Sequence, residues 1–560
     1  MCIRDRALYY KVTNSKSPKV KALFNDWKRL FSQVCAYSPE KLKGLEVTYE
    51  MEGSIDYNAL LFSIHTYYAF LMKLLSAEVT YLYGTGKWLR SYVSELEDVC
   101  MRGLTLLLRT LEDLENGGIF RRFLRITNFI EGDYFSWYLT EMDEKLAEII
   151  AEIARKLADY EPATPLLEPE YTRDLLKRLY QNLVPKKIRH DLGEYYTPDW
   201  LAELIFNEIG LTVENLEKLA VEKEDPLAPL NLRVLDPACG SGTFLVLAIK
   251  RFREYAENHY LKDVLADYLL RNIVGFDLNP LAVLAARTNY LLAIADLLPY
   301  VTGSIEIPVY LSDSLLVETR TTLTGTTYVI RTYVGEFEIP RLIVEQGLLG
   351  RLLEIIDRYV RLRYEVKDFE CLVKTDLKID YELQLVRNLY TMFFKLEEES
   401  KNHVWTSIIK NAFAPLTVVS SFGKFDYIIG NPPWINWQNL PEKYREISAE
   451  LWSYYKLEVT KGAEAGLGAK KRDISMLFVY RCADRYLKIN GLLGFVITQT
   501  IFKSRAGEGF RRFSLQDTRL AITKVHDMVD LKPFEGAQNR TSVMILRKGK
   551  ATTYPVPYIL

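Results

Sequence analysis

Phe425-Asp426-Tyr427-Ile428-Ile429-Gly430-Asn431-Pro432-Pro433-Trp434 decides how the rest of the chain is read. The apolar run, rich in Ile and Tyr and entered from Gly423, has the composition of a buried strand. Pro432 and Pro433 cannot continue a hydrogen-bonded ladder beyond Gly430. The polar tetrapeptide therefore falls at the strand's C-terminal end, the edge where open α/β sheets bind ligands. Asn-Pro-Pro followed by an aromatic suits the activation of an amino group on an aromatic ring. The lone pair of that nitrogen is delocalised, so acceptors must draw its hydrogens out of plane before it can attack. The side-chain carbonyl of Asn431 and the backbone carbonyl of Pro432 are two such acceptors, fixed in place by the paired prolines. Trp434 offers a flat face for a base. Taken alone, the tetrapeptide reads equally well as a strand-ending turn, and the surrounding motifs have to choose.

Upstream, Val234-Leu235-Asp236-Pro237-Ala238-Cys239-Gly240-Ser241-Gly242-Thr243 is a strand, a glycine turn and a helix start. A phosphate-binding P-loop would need Gly-Lys-Ser/Thr where Gly242-Thr243-Phe244 stands, and a dinucleotide fingerprint would need a third glycine at Leu245. Both fail on the residues. Asn272 to Asp277 is a second strand ending in an acid, 41 residues after Asp236 across a helix expected over 243–270, and Asp277 is placed to accept both hydroxyls of a ribose. Val309-Tyr310-Leu311-Ser312-Asp313 is a third such strand. Before all of these, Gly193-Glu194-Tyr195-Tyr196-Thr197-Pro198-Asp199 reads as a helix start, with Thr197 as the N-cap and Pro198 at the first helical position.

In this order the motifs resemble those of gamma-class adenine-N6 DNA methyltransferases, in particular the methylase part of type IIG restriction-modification enzymes. The resemblance covers roughly residues 180 to 548. It implies a Rossmann-like α/β fold, a seven-stranded mostly parallel sheet preceded by a helical domain, and S-adenosylmethionine as the methyl donor. Asn431, Pro432, Pro433 and Trp434 would be catalytic. Tyr195, Tyr196, Thr197 and Pro198 would lie over the methionine part of the cofactor, and Asp236 would help hold its cationic end. Ala238, Cys239, Gly240 and Gly242 would pass beneath it, with Cys239 as a small filler. Asp277 and Leu278 would take the ribose and Asp313 the adenine amino group. Phe534, in Leu531-Lys532-Pro533-Phe534, either packs a turn or stacks on a flipped base opposite Trp434. A Pro-Cys nucleophile, which the resemblance would require for cytosine-C5 methylation, does not occur.

The implied function is site-specific methylation of adenine N6 in double-stranded DNA within a restriction-modification or phage-defence system. Alternatives are another planar nitrogen (cytosine N4, RNA guanine, protein glutamine) or a non-catalytic cofactor-binding or scaffolding subunit. A target-recognition domain or subunit and a nuclease would be supplied outside this chain.

The whole composition narrows the setting. The 560 residues carry 72 Lys+Arg against 73 Asp+Glu, so any nucleic-acid affinity must come from local patches rather than from the net charge of -1. Six scattered cysteines without a Cys-x-x-Cys pair and five dispersed histidines point to a reducing, cytosolic setting with neither a disulfide framework nor a zinc site, and the resemblance implies a cytoplasmic protein of a prokaryote. Ala59 to Tyr83 is the most apolar span, but His65 and Lys73 interrupt it, so a buried helix is expected rather than a membrane crossing. Met1-Cys2-Ile3-Arg4-Asp5-Arg6 fits nothing downstream and reads as translated adapter sequence, with the true N-terminus missing. The expected organisation is a helical connector (1–185), a cofactor half (186–320), an insertion of hairpin and helices (321–414), a catalytic half (415–548) and the start of a missing C-terminal region (549–560). Helices are expected over Glu141 to Tyr160 and Thr172 to Leu183. The basic run Lys186 to His190, the arginines Arg358, Arg361 and Arg363, and the glycine-rich Lys461 to Asp473 are candidate DNA contacts, with solvated faces or an ordinary surface loop as the plainer reading.

Overall fold

The computed structural model describes residues 2–34, 42–85, 91–159, 183–184, 197–322, 325–332, 334–380, 382–399, 405–458, 472–534 and 540–560. Tyr195, Tyr196, most of Thr172 to Leu183, Lys186 to His190 and Lys461 to Lys471 lie outside the described residues.

The strands in chain order are β1 (Val234–Asp236), β2 (Ile273–Asp277), β3 (Val309–Leu311), β4 (Glu318–Thr322), β5 (Gly325–Thr332), β6 (Gly335–Pro340), β7 (Phe425–Gly430), β8 (Leu487–Thr498), β9 (Leu520–Asp527), β10 (Thr541–Lys548) and β11 (Tyr558–Ile559). Eight of them form the main sheet in the order β11-β9-β10-β8-β7-β1-β2-β3. Pairing is parallel from β3 through β8, and β10 runs antiparallel to both β8 and β9. This is the mostly parallel α/β sheet expected, with one addition: Tyr558 and Ile559 pair in parallel with Val525 and His526 and make an eighth strand.

Strand geometry sends successive side chains to opposite faces, and the sequence uses both. Val234, Ile273, Ile429 and Val496 pack with the helices Asp199–Glu208, Thr243–Asn258, Lys262–Asn272 and Pro280–Ile294. Their neighbours Leu235, Val274, Ile428 and Phe495 pack on the other side with Ala414–Phe422, Glu442–Tyr454 and Ile474–Arg485. The strands are buried on both faces, which is why they read as continuous apolar runs.

The single helix expected over 243–270 is two helices. The break falls at His259–Leu261, where Tyr260 adopts φ 58° and the Leu261 amide turns back to the Ala256 carbonyl. The insertion holds the expected hairpin plus a third strand, β4, whose Glu-Thr-Arg-Thr-Thr has no apolar alternation to announce it. In that small sheet Arg320 pairs with Glu336 and Glu338, and Arg331 with Glu318 and Glu336. Arg361, one of the candidate DNA contacts, is paired with Asp357 at 3.1 Å.

The N-terminal region is helical. Its long helix Tyr57–Thr85 is apolar and long enough to cross a membrane, yet 94% of its apolar window is buried within the fold, as expected for a core helix. The expected helix near Glu141 runs Glu144–Ala158, capped by Asp143. From Cys2 onward the chain is helical to Asn14, and Arg6 donates to the Tyr49 carbonyl at 3.1 Å.

Candidate active site

The parallel strands β1, β2, β3 and β7 end at one edge, which collects Asp236, Asp277, Asp313 and Asn431. Asp236 is fully buried at the end of β1. Its Oδ1 accepts from the Ala238 amide at 3.1 Å, while its Oδ2 is buried with no partner. Burial, with the charge of Asp277 nearby, pushes its carboxyl well above the usual range. β7 ends against it. A Cβ on Gly430 would come within 2.6 Å of Asp236 Oδ1, so only glycine lets β7 close on this carboxylate.

The turn after β1 is held from two sides. The Gly240 amide donates to Asp277 Oδ2 at 2.8 Å, and Asn289 Nδ2 donates to the Ser241 carbonyl at 2.8 Å. Gly242 has φ +87°, and a Cβ there would meet Ala286 at 3.3 Å, so the helix that follows can lie directly on Pro280–Ile294. Cys239 is buried beneath the turn, its amide bonded to the Phe276 carbonyl at 2.9 Å. Leu278, next after Asp277, is half-buried. Asp277 and Asp313 also accept backbone amides of their own turns, from Asn279 and from Leu315 and Leu316. Burial raises both carboxyls, and the Tyr444 hydroxyl works against that rise at Asp313. An ionised carboxylate has about four lone-pair positions, so capacity remains on each for a ligand.

Asn431 follows β7. Its Nδ2 donates to Thr197 Oγ1 at 3.2 Å, and its Oδ1 is buried without a partner. Pro432 is buried and Pro433 half-buried. Trp434 is held by its indole N–H, which donates to the Val496 carbonyl at 3.2 Å. Phe534 touches it edge-on, with ring centroids 4.8 Å apart and planes at 87°. Phe534 is itself buried at this contact.

Thr197 is not the N-cap that the sequence predicts. The helix Asp199–Glu208 is capped by Pro198, whose carbonyl accepts from Leu201 and Ala202, and the Thr197 hydroxyl is turned to Asn431.

Three contributors went unread in the sequence. Asn289 and Arg287 lie on an otherwise apolar helix, and that polar interruption (Arg287-Thr288-Asn289) was the available signal. Arg287 is buried and donates to the carbonyls of Val309, Phe129 and Glu131 and to Asn411 Oδ1, tying β3 to the N-terminal region and to a helix near the end of the insertion. Asp473 caps Ile474–Arg485 through the Ser475 amide and receives the Thr498 hydroxyl; burial raises its carboxyl to about 6. The segment it opens pairs with the residues after Trp434: the Ile474 amide donates to the Ile435 carbonyl at 3.0 Å.

Residues 271–534 match the family profile described as Eco57I restriction-modification methylase, and residues 220–300 match that of the MmeI DNA-methyltransferase domain. An inferred type II restriction enzyme and methyltransferase of Methanocaldococcus jannaschii is 26% identical over 222 residues, 32% of this chain and 18% of that protein. The modification methylase CviBIII of Paramecium bursaria Chlorella virus NC1A is 29% identical over 110 residues, 19% of this chain and 24% of that one. The matches thus span about a fifth to a quarter of those relatives. Among solved structures, a nuclease-deletion mutant of the Type ISP restriction-modification enzyme LlaGI aligns with TM-score 0.45 at 14% identity, over 99% of this chain and 34% of that one. The type I methyltransferase subunit from Streptococcus thermophilus aligns with TM-score 0.36 at 14% identity, over 98% and 85%. The glycine turn and the Asn-Pro-Pro-Trp edge fall inside the matched residues, and the chain is similar there to restriction-modification methylases of the type IIG-like kind.

Proposed function

We propose that this edge transfers a methyl group from S-adenosylmethionine to N6 of an adenine in double-stranded DNA. The observation that carries the reading is the buried, partnerless Oδ1 of Asn431, an acceptor held where a ligand's N–H is the missing partner. A buried acceptor left unmade costs about 1–3 kcal/mol, which a bound amino group returns.

The donor residues fit the cofactor. Asp236 presents a second partnerless oxygen in a site too dry to hold a lone charge, which suits a cation, and the turn Ala238 to Gly242 brings backbone close beneath it. Asp277 and Asp313 keep acceptor capacity for ribose hydroxyls and an adenine amino group. When bound, S-adenosylmethionine supplies a methyl group on a positively charged sulfur. The protein's own work is then positional. Asn431 Oδ1 and the Pro432 carbonyl accept the hydrogens of the target amine and localise its lone pair. Trp434 supports the base, and the buried edge excludes water. Leaving the duplex stack costs the target base a few kcal/mol, which contact with Trp434 helps to offset. Double-stranded DNA is the proposed partner, with sequence choice and any nuclease supplied by further regions or subunits.

The test is incubation with labelled S-adenosylmethionine and unmethylated duplex DNA, followed by digestion to nucleosides. N6-methyladenine is expected, falling by about a hundredfold to a thousandfold in Asn431→Ala, the scale on which loss of one preorganised hydrogen-bonding group at the transition state is felt. N4-methylcytosine as product would move the assignment to another planar nitrogen.

A further inference from the structure

Asn431 can serve as an acceptor only if its amide is held. Its backbone is restricted by the following proline, but the bond that rotates the amide group is not. If that group turns, the NH2 end faces the substrate amine and two sets of donors oppose each other. Among the described residues the amide is held from a segment 234 residues away, by the Thr197 hydroxyl at 3.2 Å from Nδ2.

We propose that Thr197 is a positioning residue for Asn431, fixing the amide so that Oδ1 is presented to the target amine. Thr197 is 7% exposed, and its hydroxyl does not cap the helix that follows. The helix that carries it is itself fixed. Leu201, Ala202, Ile205 and Phe206 are buried, and Ile205 packs where β8 thins to Gly494. At the other end, Glu208 lies 2.6 Å from Lys524 and 3.0 Å from His526 on β9. Thr197 therefore acts as a rigid stop, and the segment that the family resemblance assigns to the cofactor also sets the catalytic amide. Any fault in docking this segment is felt at the target nitrogen as well as at the cofactor.

This rests on the proposed methyl transfer, and the test separates the two. Thr197→Val keeps the shape and removes the hydroxyl, whereas Thr197→Ser restores it. In single-turnover transfer at saturating S-adenosylmethionine and DNA, Thr197→Val is expected to slow methylation about 10- to 100-fold, with the cofactor dissociation constant changed less than about twofold. Thr197→Ser is expected within about threefold of the unaltered chain. An unchanged rate in Thr197→Val overturns the proposal. So does weakened cofactor binding whose rate is recovered at saturation, because Thr197 would then be a cofactor contact. If the unaltered chain methylates no DNA, the functional reading fails. The positioning claim is then decided by the crystal structure of Thr197→Val: a displaced Asn431 amide supports it, and an unmoved one overturns it.

Discussion

Two parts of the molecule bury charge, and they treat it in opposite ways. In the N-terminal helical region, Lys73 is fully buried between Glu115 and Asp133, with Nζ 2.8 Å from Asp133 Oδ2 and the Tyr138 hydroxyl donating to Glu115 at 2.8 Å. Burial works against the Lys73 charge, but the two carboxylates outweigh it and hold the ammonium above its ordinary value. At the sheet edge, Asp236 is buried just as deeply and has no cation beside it among the described residues. Its carboxyl is pushed up instead, and an oxygen is left over. Both regions leave a carboxylate oxygen without a partner, Asp133 Oδ1 in one and Asp236 Oδ2 in the other; what separates them is the cation, present between the carboxylates at Lys73 and left for a ligand to supply at Asp236.

The largest expected effect breaks the paired side of this contrast. Lys73→Met leaves Glu115 and Asp133 buried without their cation and should cost about 3–5 kcal/mol, seen as a fall in melting temperature. Cofactor affinity of the folded fraction should be unchanged.

Asp236→Asn acts in the opposite sense, because it removes a buried carboxyl whose ionised form the apo fold disfavours. The apo variant should gain about 1–2 kcal/mol at neutral pH while losing cofactor affinity, a trade of binding for stability. For Asp236 the folded pKa lies above the unfolded one. Its stabilising protonation is therefore present at low pH and lost as pH rises through the folded value. The unaltered chain should lose stability over that rise, and Asp236→Asn should not lose this part of it.

A further effect sharpens the comparison on the β8 side of the sheet. Asp473 also has a raised pKa, about 6, so the same sign applies: stability falls as pH rises from about 4 to 6, by at most about 3 kcal/mol. Asp473→Asn keeps the side-chain oxygen that accepts from Ser475. Thermal unfolding at pH 5 and pH 8 should show the variant losing less between the two than the unaltered chain.

What the sequence made legible was local. The strand that ends at Gly430, the stop imposed by Pro432 and Pro433, and the turn at Gly240 and Gly242 follow from steric rules acting over a few residues. Each acid-ended strand could be read for the same reason. Contacts made across the chain were not legible. The Thr197 hydroxyl has two chemically sound uses, capping its own helix or meeting Asn431, and only the packed sheet shows which is taken. Arg287 looks like an interruption in an apolar helix until its four acceptors, on segments far apart in sequence, are in place. β4 escaped because its polar residues satisfy themselves with arginine–glutamate pairs rather than with a buried face.

The most direct test of the central contrast is titration calorimetry of S-adenosylmethionine into the intact chain and into Asp236→Asn, each in two buffers of different ionisation enthalpy. The account predicts that the unaltered chain binds with release of protons, because a cation returns the buried carboxyl to its charged form, and that Asp236→Asn binds at least about tenfold more weakly with less proton release. Equal affinity and equal proton release in the two proteins would contradict it.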